Sequence, residues 1–130
     1  MSALAATVRA LLAAPAVTAV VSTRVYPVEA DQGARLPAIV VDIVSERDSR
    51  HLSGADQFPV ARVQIQCLGR TPAAADKLAG VVIATLQDLV GTFAGRQCEF
   101  SRADSYYSDA SDNRSVYRVL TDFYVRHRAA

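Results

Sequence analysis

The stretch "FPVARVQIQCLG", residues 58–69, constrains the fold more than any other. Val63, Ile65 and Cys67 alternate with Arg62, Gln64 and Gln66 without a break. Only a β-strand repeats its side-chain direction every two residues. One face of this strand is apolar and the other is wet, so it belongs to a sheet covered on one side. The rest of the chain must supply its strand neighbours and that cover.

Four more stretches read as strands. "TRVYP" (23–27) is brief and stops at Pro27, because the residue before a proline is driven extended. "LPAIVVDIVSE" (36–46) sets Ile39, Val41 and Ile43 on one face and Val40, Asp42 and Val44 on the other. Both faces are largely apolar, which places it at the centre of the sheet. "RQCEFSR" (96–102) turns Cys98 and Phe100 inward and Gln97 and Glu99 outward. In "SVYRVLTDFYVRHR" (115–128), Tyr117, Val119, Phe123 and Val125 line one face, and Arg118, Asp122, Tyr124 and Arg126 the other.

Helices supply the cover. After Ser2 as a cap, Leu4, Val8, Leu11 and Leu12 fall on one stripe. Pro15 restarts the chain as a short helical turn carrying Val17, Val20 and Val21. "TPAAADKLAGVVIATLQDLVG" (71–91) is a helix capped by Thr71, with Pro72 first, Gly91 just beyond its end and a buried stripe of Leu78, Val81, Val82, Thr85 and Leu89. Gly33 is the expected positive-φ residue of the loop "VEADQGAR" (28–35), "GTFAG" reads as a helix-exit turn, and "SDASDN" (108–113) as a polar turn. The expected class is α+β: an antiparallel sheet with two main helices packed on one face, in the order α-β-β-β-α-β-β. It is expected as a single domain over residues 1–130.

Composition narrows the function. Charged residues are 21% of the chain and the net charge is +1, so no global field recruits nucleic acid or an anionic membrane. Thirteen of the fourteen basic residues are arginine, Lys77 being the exception. Two readings stand open: arginine chosen for forked interface contacts, or codon bias in a GC-rich genome. Cys67 and Cys98 sit on inward strand phases, without a CxxC, and read as reduced core thiols of a protein folded in the cytoplasm. The apolar opening "MSALAATVRALLAAPAVTAVV" carries Arg9 and Pro15 and reads as helix rather than signal peptide or membrane span.

No catalytic chemistry is indicated. Nucleophile schemes need a base in reach, and the only histidines, His51 and His127, stand in no motif and read as solvated surface residues. Glu46 and Asp48 carry no feature that separates acid–base work from loop solubility. No phosphate cradle, cofactor site or metal-ligand spacing is present. A nucleic-acid site is not evident either, since Asp122 and Glu99 share the outward phase with Arg62, Arg118 and Arg126. Two connections are long for hairpins and heavily polar: 45–57, with Arg47, Arg50, His51 and Leu52, and 101–115, with Tyr106, Tyr107 and Arg114. They read equally as solvated loops or as contacts to a protein neighbour, arginine and tyrosine being common interface anchors. The outward sheet face, with Arg62, Gln64, Gln66, Arg118, Asp122 and Arg126, suits a wet protein interface.

Taken together, "VRALLAAPAVTAVVSTRVYP", "LPAIVVDIVSERDSRHLSG", "ARVQIQCLGRTPAAADKLAGVV" and "SVYRVLTDFYVRHR" resemble, in order and spacing from Val8 to Arg128, the tail-completion or tail-terminator proteins of long-tailed bacteriophages, prophages and gene transfer agents. The resemblance implies a structural virion protein with no catalytic motif to carry over. It implies a homo-hexameric ring that caps the tail tube, ends its polymerisation and joins the tail to the head connector or stopper. DNA would only pass through the channel, with the sheet toward the lumen and the helices outward. A heterologous contact repeated about an axis closes such a ring. The alternatives are a monomeric or dimeric α+β module binding nucleic acid or a small ligand, and another head–tail joining or tail tube protein.

Overall fold

The computed structural model describes residues 2–30, 33–47, 50–51, 54–55, 59–111 and 115–129, and for 2, 47, 50–51, 54–55 and 104–107 it describes the backbone only. The elements run α1 (Ser2–Leu12), α2 (Pro15–Val21), β1 (Val25–Pro27), β2 (Ala38–Arg47), β3 (Arg50–His51), β4 (Gly54–Ala55), β5 (Val60–Gly69), α3 (Pro72–Leu86), β6 (Val90–Phe93), β7 (Arg96–Ala110) and β8 (Tyr117–Ala129). Six strands form one sheet in the order β1-β2-β5-β8-β7-β6, while β3 and β4 pair separately.

The alternating stretch becomes β5, with β2 and β8 antiparallel on either side of it. Its inward residues Val63, Ile65 and Cys67 are fully buried, in one core with Ile39, Val41, Phe100, Val119, Phe123 and Val125. The helices close that core through Leu4 and Leu11 of α1, Val17 and Val21 of α2, and Ala75, Leu78, Ala79, Val82 and Leu86 of α3. Thr71 caps α3 as expected, its hydroxyl accepting from the Ala74 amide at 3.1 Å. The helix packs so near the end of β5 that a Cβ on Gly69 would lie 2.7 Å from the Ala75 nitrogen. The class is therefore α+β. Because α1 touches both edge strands, β1 and β6, the sheet curls around the helices.

Several expectations need correction. The sheet is mixed, since β1 runs parallel to β2, and the described residues form three helices, the turn at Pro15 being a helix of seven residues. β2 stands next to the edge rather than at the centre. Its second apolar face is explained by a small separate cluster, in which Ala38, Val40 and Leu68 pack with Tyr26, Ala30, Leu36 and Val116. α3 stops at Leu86, and Val81 and Thr85 are only half-buried. Leu89 lies past the helix and still packs on the core. Gly91 belongs to β6, so "GTFAG" opens a β-hairpin rather than leaving a helix. Its turn residues Ala94 and Gly95 have φ of 51° and 73°, the pattern of a two-residue hairpin turn. Gly33 has positive φ (76°) as expected.

Candidate interaction surface

Among the described residues no helix covers the sheet's second face. The pairing sets Arg62 opposite Tyr124, Gln64 opposite Asp122 and Gln66 opposite Leu120. Arg118 faces Asp109 and Arg126 faces Glu99 across β7 and β8. All six residues anticipated for an open face, Arg62, Gln64, Gln66, Arg118, Asp122 and Arg126, thus share one side of β5 and β8. Their polar groups are organised. Arg62 Nε donates to Asp122 Oδ2 at 2.8 Å, and the guanidinium stands 5.8 Å from the centre of the Tyr124 ring. The hydrogen bond to Asp122 holds the Arg62 guanidinium above its ordinary pKa. Arg118 donates two bonds to Asp109, at 2.6 and 2.5 Å. Arg128 Nε donates to Gln97 Oε1 at 2.7 Å.

Toward the β1 side the face becomes apolar. A cleft of about 460 Å³ opens between Val28, Val40, Leu68, Val116 and Arg118. On its rim Glu29 N–H donates to Pro27 O at 2.8 Å, closing a three-residue turn about Val28. Val28 has φ of 70°, rare and strained for a β-branched residue, and is 50% exposed.

One polar cluster was missed. His127, expected on the surface, is 2% exposed. It continues the inward phase of Phe123 and Val125, and that phase was the signal available in the sequence. Its Nδ1 receives Arg96 Nε at 3.2 Å and Arg96 Nη2 at 2.9 Å. A guanidinium can only donate, so Nδ1 must be unprotonated. The ring proton therefore sits on Nε2 and is donated to Glu46 Oε1 at 2.6 Å. This relay joins the end of β2, the start of β7 and the end of β8. Its carboxylate stands two residues before the first of the undescribed positions of the 45–57 connection, at the base of that excursion.

The two long connections are not plain loops. β2 continues to Arg47, opposite Val60, and Arg50 and His51 lie in β3, opposite Ala55 and Gly54. β7 extends through Tyr106 and Tyr107, which pair with Thr121 and Leu120 and so fall on opposite phases of the strand. A bulge between Arg102 and Tyr106 shifts the register there. Leu52 and Arg114 lie outside the described residues, and the side chains of Arg47, Arg50, His51, Tyr106 and Tyr107 are not described.

Cys67 and Cys98 are buried free thiols, as expected. Burial pushes the Cys67 thiol up to about 12 and raises Cys98 as well. Among the described residues no three His, Cys, Asp or Glu side chains cluster as metal ligands. No single helix there is long and apolar enough to cross a membrane.

The family profile described as Tail completion protein gp17 matches residues 5–128. A chain of the structure titled "Virion of native gene transfer agent (GTA) particle" has the same fold, with a TM-score of 0.73 at 19% identity over 97% of this chain and 94% of that one. No curated protein matches.

Proposed function

This chain belongs to the Tail completion protein gp17 family, and from that premise we propose that it closes a homo-hexameric ring on the end of a tail tube. As a family member it is a structural protein of the virion tail. In the proposed role the ring stops tube polymerisation and offers its other rim to the head connector or stopper. DNA crosses the ring through its channel, and the open face of β5 and β8 lines that channel.

The observation that carries this reading is the one-sided cover of the sheet. Three helices close one face, and the other keeps a broad polar surface that a solitary domain has no folding reason to organise. A net charge of +1 lets like copies approach without large repulsion, and local charge pairs can then fix register. Arg47, Arg50, His51, Leu52, Tyr106, Tyr107 and Arg114 are assigned to contacts with neighbouring copies, tube or connector.

The test is purified protein mixed with tail tubes, followed by electron microscopy, together with native mass spectrometry of the protein alone at rising concentration. Single caps on tube ends and a hexamer are expected. Replacing Arg47, Arg50 and Arg114 together by alanine should abolish capping while leaving the monomer folded. A chain that stays solitary and ignores tube ends defeats the proposal, and filaments in place of caps would make it a tube subunit.

A further inference from the structure

We propose that the open face is electrically cancelled by its own carboxylates, so that a nucleic-acid polyanion passes it without adhering. The inference takes from the proposed function only the identity of what passes. Among described side chains the face presents four arginines, Arg62, Arg118, Arg126 and Arg128, and four carboxylates, Asp42, Glu99, Asp109 and Asp122, as the pairing places them. Two of the arginines are locked to their carboxylates at 2.8 and 2.5 Å, and a third stands opposite Glu99. Between them lie neutral Gln64 and Gln66, which offer hydrogen bonds and no charge.

Stability is a poor reason for the Arg118–Asp109 pair, because partly exposed ion pairs add little to folding, whereas in the Arg62–Asp122 pair the carboxylate is buried. Their effect on the field is larger. Duplex DNA carries a charge every ~1.7 Å of its axis, and each arginine that neutralises a phosphate releases counterions and adds about 0.9 to the salt dependence of binding. Four unpaired arginines on one face would hold a passing duplex. An arginine with a carboxylate within 3 Å, a separation far shorter than the roughly 8–10 Å screening length, presents a phosphate with a dipole instead. The Tyr124 ring beneath Arg62 and the doubly bonded fork of Arg118 fix those two guanidiniums in place, so neither can swing toward a phosphate without breaking its contacts.

The experiment uses the free full-length chain and a DNA duplex of about 30 base pairs, titrated at several salt concentrations. Wild type should bind no more tightly than roughly 0.1 mM at low salt, the weak end of non-specific binding. The Asp109→Asn/Asp122→Asn variant, nearly isosteric, should bind at least about tenfold tighter, with a log–log salt slope near −2, two phosphate contacts' worth. A second variant, Gln64→Lys/Gln66→Lys, breaks no pair and decides the matter if the first does not fold. Its control is Ala73→Lys/Ala84→Lys, which places the same charge on the exposed side of α3. The open-face lysines should give at least about threefold the gain of the helix lysines. Steep salt-dependent binding by wild type overturns the proposal, as do folded variants that gain nothing or a helix control that gains as much. Ring formation does not enter this readout. Tube capping by the same variants tests the terminator reading separately, so the two can fail independently.

Discussion

The two faces of β8 share one backbone and follow different rules. On the inner side Thr121, Phe123, Val125 and His127 are buried, the aliphatic and aromatic groups within the helix-covered core. On the outer side Asp122 and Tyr124 meet Arg62 through an ion pair and a ring contact. Inner-face changes should act on folding, because they lose transfer energy and leave cavities. Outer-face changes should act on what the molecule meets. A one-residue step along the strand separates the two kinds of consequence.

The sharpest way to break this contrast is to truncate adjacent residues. Phe123 is fully buried, and Tyr124 is 39% exposed. Phe123→Ala should cost about 3–5 kcal/mol, enough to leave little folded protein at 37 °C in a chain of ordinary stability. Tyr124→Ala should cost about 1 kcal/mol or less. Urea unfolding followed by circular dichroism measures both. Similar losses at the two positions would mean that the outer face is part of the core after all.

The relay of Glu46, His127 and Arg96 tests the contrast at its margin, where the inner face runs out. His127→Leu keeps most of the volume and removes all three hydrogen bonds, leaving the Arg96 donors and the Glu46 carboxylate without the ring they share. A loss of about 1–3 kcal/mol is expected, as for a buried ring taken from a part-buried polar network. Glu46→Gln keeps an acceptor for Nε2–H and should cost less than half as much. Hydrogen exchange of the β2, β7 and β8 ends should quicken in the leucine variant. If His127→Leu is neutral, the three strand ends are held by packing alone.

How much of this was legible in the sequence follows from which force sets each feature. Period-two patterns announced β5, β8 and the first half of β7, because burial on one face imposes them. The open-face residues were legible for the same reason, as the complement of the core. The parallel β1 was not, since three residues carry no sign of strand direction. β6 was hidden because its turn uses Ala94 where Asn or Gly is the usual signal. The reach of β7 through "ADSYYSDA" was masked by polar residues and a bulge that breaks the alternation. His127 was misjudged because its residue type, usually found at the surface, outweighed a phase that pointed inward. Apolar pattern therefore reports backbone placement well, whereas polar contacts depend on register between distant strands and stay silent until those strands are paired.

The smallest effect is conditional on pH and sharpens the meaning of "inner". Folding holds the Cys67 thiol protonated up to about 12, through desolvation by the surrounding core, whereas an unfolded thiol ionises near ~8.5. Between those values the unfolded chain releases a proton that the folded chain keeps, so alkali favours unfolding. The stabilising contribution is complete below about pH 8.5 and falls by about 1.4 kcal/mol per pH unit as pH rises toward the folded value. Cys67→Ala removes that dependence and adds a cavity cost that does not vary with pH. Every other group is common to the two proteins, so its contribution cancels in the difference. The stability gap between wild type and variant, measured by urea unfolding from pH 7.5 to 10, should therefore be flat at first and then close steadily. A gap that stays constant throughout would mean that water reaches Cys67 and that the dry core ends before the last residues of β5.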